Sequence, residues 1–177
     1  EYESRVQAII QNIKENGDEA LFSYTKQFDK ADINASNVKV TDEEFEEAYK
    51  AVDPALLDVI RKALVNIESY HELQKQNSWF KSTPQGTMLG QKVTPLEKVG
   101  VYVPGGKAVY PSSVLMNIMP AKVAGVDKII MTTPCNAEGK VNPAVLVAAK
   151  EAGADEVYKA GGAQAVSYTH LRAHETD

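Results

Sequence analysis

One cysteine, one tryptophan and three histidines are all that this 177-residue sequence offers of the residue types most used for covalent, stacking or metal chemistry. The lone Cys135 forms no internal disulfide and supplies no cysteine-rich zinc site, so the chain reads as a protein of a reducing compartment, the cytoplasm. Positive charge is not in excess either. Nineteen basic against 24 acidic side chains leave a net charge of -5, which provides no field to hold nucleic acid or an anionic membrane. No run reaches the ~18 apolar residues of a membrane span, and the opening EYESRVQAII lacks the basic start and apolar stretch of an export signal. What is present is ordinary globular composition, 44% hydrophobic and 24% charged. A domain of this length buries roughly 70% of its unfolded surface, enough for a real core.

Up to about residue 77 the apolar positions recur at helical spacing. Val6, Ile9, Ile10 and Ile13 make a first stripe, and Asn16-Gly17-Asp18 supplies a glycine stop and a fresh cap before a second helix through Ala20, Leu21 and Tyr24. A helical hairpin is expected. Thr41 with Glu44 has the form of a capping box, and Asp53-Pro54 sets a capping carboxylate before a first-turn proline. Leu56, Ile60, Leu64, Ile67 and Tyr70 then line one face of a long helix. The acidic run Asp42, Glu43, Glu44, Glu46 and Glu47 reads most simply as a solvated helix start that complements the macrodipole. From Trp79 the period becomes two: Thr87, Leu89, Gln91 and Val93 alternate as in a half-buried strand, with Pro84-Gln85-Gly86 as the preceding turn of a hairpin.

After Pro95 short β-rich runs alternate with amphipathic helices: 99–103, 112–125, 128–133, 142–153 and 156–160. Strand, helix, strand, helix, strand is the pattern of a parallel sheet with right-handed crossovers. The expected organisation is a helical lobe with a short hairpin over 1–94 and an α/β lobe over 95–165. Ser112 is the expected cap of the first crossover helix, Pro120 is expected to kink or shorten it, and Gly125 and Gly153 close the two helices.

Ligands of open α/β sheets bind beyond the carboxyl ends of the strands, which directs the search to three loops. Pro104-Gly105-Gly106-Lys107 lets backbone approach an anion, or is simply a tight connection; it is neither a GxGxxG fingerprint nor a P-loop. Gly161-Gly162-Ala163-Gln164-Ala165 offers two glycines and an amide that donates and accepts, unless Gln164 merely points to water. The middle loop, Thr132 to Asn136, holds Cys135, for which the sequence shows no activating neighbour. Alternation puts Tyr102 on the opposite strand face from Val101 and Val103, where its ring can pack on a ligand or on ordinary core.

VGVYVPGGKAVYPSSVLMNIMPAKVAGV (99–126), TTP (132–134) and GGAQA (161–165), with NGDEAL (16–21) and TPLEKVG (94–100), closely resemble histidinol dehydrogenase. The resemblance implies a Rossmann-like, aldehyde-dehydrogenase-like α/β fold in a homodimer. It also implies oxidation of L-histidinol to L-histidine through the aldehyde, by two hydride transfers to NAD, with zinc holding the substrate and a Glu-His pair moving protons. Carried over residue by residue, Tyr102 and Gln164 belong to the NAD site. The family's third NAD contact, an asparagine of a later G-P-G-N motif, has no counterpart here, nor do the zinc ligands or the Glu-His pair. The resemblance therefore implies an N-terminal fragment, inactive by itself, with no catalytic or metal residue of its own.

Residues 166–177, VSYTHLRAHETD, depart from the family's alanine-rich helix and read as a foreign tail, so His170 and His174 at i, i+4 spacing are weak as a metal pair. Two other readings stay open: another aldehyde-dehydrogenase-like oxidoreductase using Cys135 as nucleophile, or a non-catalytic nucleotide-binding domain.

Overall fold

Gly17 breaks the first helix as its position in Asn-Gly-Asp demands. The computed structural model describes residues 2–105 and 109–166, and within α1 (Tyr2–Phe28) Gly17 alone leaves helical geometry, at φ 53° and ψ -127°. Asn12 Nδ2 donates to Tyr24 Oη at 2.9 Å, whereas residues twelve apart in an unbroken helix stand about 18 Å apart. The two halves are thus a hairpin, closed by Ile13 against Ala20 and Leu21.

The caps expected of α2 (Asp42–Ala51) and α3 (Pro54–Glu72) are formed. Thr41 and Glu44 satisfy each other's backbone N–H groups, and Asp53 Oδ1 accepts from Ala55 N at 2.8 Å. On α3 the packed face runs through Leu57, Ile60, Leu64 and Ile67, while Leu56 and Tyr70 are exposed. Tyr70 lies about 80° round the helix from Ile60, which takes it off the buried arc.

β1 (Trp79–Ser82) and β2 (Met88–Gln91) form the antiparallel hairpin, with Gly86 at φ 85° in its turn. The half-burial expected of its second strand is not found: every residue of both strands is exposed, because among the described residues no other element packs on either face. Phe80 lies over its cross-strand partner Gly90, where an added Cβ would overlap the ring and the Trp79 carbonyl.

β3 (Lys98–Tyr102), α4 (Pro111–Ala124), β4 (Lys128–Thr133), α5 (Pro143–Ala152) and β5 (Glu156–Lys159) complete the chain, and the three strands form a parallel sheet in the order β3-β4-β5. Ser112 does not cap α4. The cap position is Tyr110, without a side-chain bond, because Pro111 takes the first helical position and moves Ser112 into the first turn. The helix runs through Pro120 to Ala124 and is not shortened, and Gly125 and Gly153 end their helices at φ 86° and 90°.

One sheet face, carrying Val101, Val103, Ile129, Met131 and Val157, packs on Leu115 and Ile118 of α4 and Leu146 of α5; Ala48 and Ile60 from the preceding helices join the same core. The opposite face turns Tyr102 toward α1, beside Ile13, Leu21, Ala160 and Ala165. The outer edge of β5 is covered by residues 38–40, through Lys159 N to Val38 O at 2.8 Å and Val40 N to Val157 O at 2.9 Å. Among the described residues, no strand pairs with the outer edge of β3.

Candidate functional site

Three loops converge at the carboxyl ends of the strands, and Pro134 is their common contact. A Cβ on Gly105, after β3, would stand 2.6 Å from Pro134 Cγ, and one on Gly161, after β5, would stand 2.5 Å from Pro134 Cβ. Only a residue without a side chain fits at either place. The glycines noted in the sequence thus let the first and third loops close on the middle one.

Tyr102 and Gln164 both reach Gly162 in this corner. Gly162 N donates to Tyr102 Oη at 3.2 Å, and Gly162 adopts φ 63°, a left-handed turn into the short helix at 162–166. The space that its side chain would take is filled by Gln164, whose Oε1 stands 2.6 Å from the position of a Gly162 Cβ. Gln164 does not point to water: it is 1% exposed, and its Nε2 has no hydrogen-bond partner. A buried amide donor left unpaired is costly in a folded protein. Tyr102, half-buried, lies opposite Val101 and Val103 as alternation predicted.

Cys135 is buried, and its thiol is pushed up first by that burial and then by the Asp29 carboxylate, so it stays protonated at neutral pH. That is the opposite of what a nucleophile needs. It borders a cavity of ≈ 540 Å³ between α2, the start of α5 and the loops after β3 and β4, lined in part by Gly105, Thr133, Pro134 and Asn142.

Sequence reasoning missed the work of Glu44. This residue of the acidic run closes the capping box with Oε2 and pairs with Lys159 Nζ through Oε1 at 2.8 Å, both side chains being largely buried. Helical periodicity placed Glu44 on α2 but carried no information on a strand more than a hundred residues away.

Among the described residues, no three histidine, cysteine, aspartate or glutamate side chains gather to hold a metal ion. Gly106 and Lys107 of the first loop, and His170 and His174, lie outside the described residues.

A three-stranded parallel sheet flanked by helices, with glycine loops and a buried unpaired amide at its carboxyl end, defines an α/β protein. The family model for histidinol dehydrogenase matches residues 1–171. The chain is 55% identical over 167 residues to histidinol dehydrogenase of Bacillus subtilis, covering 94% of this chain and 39% of that protein. It is 53% identical over 163 residues to that of Heliobacterium mobile, covering 92% of this chain and 38% of that protein. The crystal structure of histidinol dehydrogenase from Elizabethkingia anophelis superposes with a TM-score of 0.87 at 37% identity, covering 94% of this chain and 38% of that one. The chain belongs to the histidinol dehydrogenase family, and it spans about 38% of the length of the relatives it matches.

Proposed function

We propose that this chain is the N-terminal part of an enzyme that oxidises L-histidinol to L-histidine through the aldehyde, with Tyr102 and Gln164 in its NAD site. The observation that carries the reading is the buried, unpaired Nε2 of Gln164 beside the Gly162 to Tyr102 hydrogen bond. A polar cofactor edge supplies the partner that the protein withholds. NAD, when bound, supplies the hydride acceptor for each oxidation. Tyr102 provides an apolar ring and, through its hydroxyl, sets the Gly162 backbone; Gln164 provides an amide held rigid by burial.

Zinc, which the resemblance implies for the whole enzyme, has no fitting group of ligands among the described residues. These residues alone are therefore proposed not to turn over histidinol. The Rossmann-like, aldehyde-dehydrogenase-like reading is supported by the unpaired edge of β3, where a further parallel strand would put a reversal of strand order next to Tyr102. A cytoplasmic homodimer fits the unpaired cysteine and the exposed apolar side chains of the hairpin, Trp79, Phe80, Met88 and Leu89.

The test is NAD binding by the full-length protein. Gln164→Met, which keeps volume and removes the amide, is expected to raise the NAD Kd about tenfold, as loss of one buried hydrogen bond would. An unchanged Kd would overturn the reading.

A further inference from the structure

Thr132 is a third polar residue at this corner, and the reading above does not use it. Tyr102, Thr132 and Tyr158 are cross-strand neighbours on β3, β4 and β5, so their side chains leave the sheet on one face. Tyr102 starts on β3, yet its hydroxyl meets Gly162, which follows β5. Neighbouring strands lie about 4.8 Å apart, so that contact spans the end of β4, the strand that ends with Thr132 and Thr133.

Thr132 is 5% exposed, and its Oγ1 has no hydrogen-bond partner. Valine has the same shape, suits a strand better and would carry no such penalty. The corner thus holds two buried polar atoms without partners, Thr132 Oγ1 on the strand next to Tyr102 and Gln164 Nε2 beside Gly162. Both can donate a hydrogen bond.

We infer that Thr132 is a further binding residue of the nucleotide site, its hydroxyl and the Gln164 amide donating to one acceptor oxygen of the nucleotide. The inference rests on the NAD reading of this corner.

The experiment compares Thr132→Val, Thr132→Ser and Gln164→Met in the full-length protein. NAD binding is measured by calorimetric titration without histidinol, and melting of the ligand-free protein by scanning calorimetry. Thr132→Val is expected to raise the NAD Kd about five- to twentyfold, the loss of one hydrogen bond, with the melting temperature held or raised. Thr132→Ser, which keeps the hydroxyl, is expected to bind NAD as the parent does. A native Kd in Thr132→Val overturns the inference, whatever happens to melting. So does an equal weakening in Thr132→Ser, which would assign the effect to packing. If Gln164→Met weakens binding and Thr132→Val does not, only this inference falls; if neither does, the NAD reading falls with it.

Discussion

Gly162 has two reasons to be glycine, and they predict different measurements. Its φ of 63° is strained for any side chain, and the place of its Cβ is taken by Gln164 Oε1. Gly162→Ala is expected to lower stability by about 1 kcal/mol in denaturant unfolding and, by displacing the Gln164 amide, to weaken NAD binding in the full-length protein. A variant that loses stability but binds NAD normally would separate the backbone from the site. How far such detail could be read beforehand differs from residue to residue. Strand alternation was enough to set Tyr102 opposite Val101 and Val103. The helix at 162–166 is too short to carry a periodic pattern, so the burial of Gln164 and its missing partner became visible only in three dimensions. The first-turn proline decided against Ser112 as a cap, because two good helix-start residues compete for adjacent positions.

Elements were legible where local chemistry determines them. The capping box of α2, the Asp53 cap of α3 and the glycine ends of α4 and α5 all depend on neighbours within one turn. What α2 docks on does not, and Glu44 shows the difference. Thr41→Ala removes a cap and is expected to destabilise the fold by about 1 kcal/mol. Glu44→Ala also leaves the buried Lys159 ammonium unpaired, and its cost is expected to be larger, about 3 kcal/mol. The double variant Glu44→Leu/Lys159→Met is expected to recover most of that loss, since neither charge is then buried alone. Equal effects of Thr41→Ala and Glu44→Ala in chemical denaturation would show that the ion pair contributes nothing to docking α2.

At the scale of the molecule, Glu156 joins segments far apart in the chain, accepting from Lys39 at 2.9 Å, from Lys128 at 3.2 Å and from Tyr158 at 2.9 Å. Its carboxyl is held down to about 2 from 4.5, first by the Lys39 hydrogen bond, against the opposing effect of burial. A carboxyl lowered on folding stabilises the protein above its unfolded pKa, and that stabilisation disappears as pH falls from 4.5 toward 2. Glu156→Gln is expected to melt below the parent at neutral pH, with the difference shrinking through that window. A difference independent of pH would remove Glu156 from the account.

The same scale explains the hairpin. Its pairing is local and was read from alternation, whereas burial needs a second surface to pack on it, and both strands are exposed among the described residues. Exposed Trp79, Phe80, Met88 and Leu89, with the unpaired edge of β3, predict concentration-dependent self-association of the 177-residue chain in sedimentation velocity. A single monomer boundary across concentrations would contradict that expectation.

The proposed NAD site centres on Gly162, which Tyr102 and Gln164 both reach. A crystal structure of the full-length protein with NAD tests it directly. The nucleotide is expected against the Tyr102 ring, with a polar atom within hydrogen-bond distance of Gln164 Nε2. A nucleotide bound elsewhere, with that amide still unpaired, would contradict it.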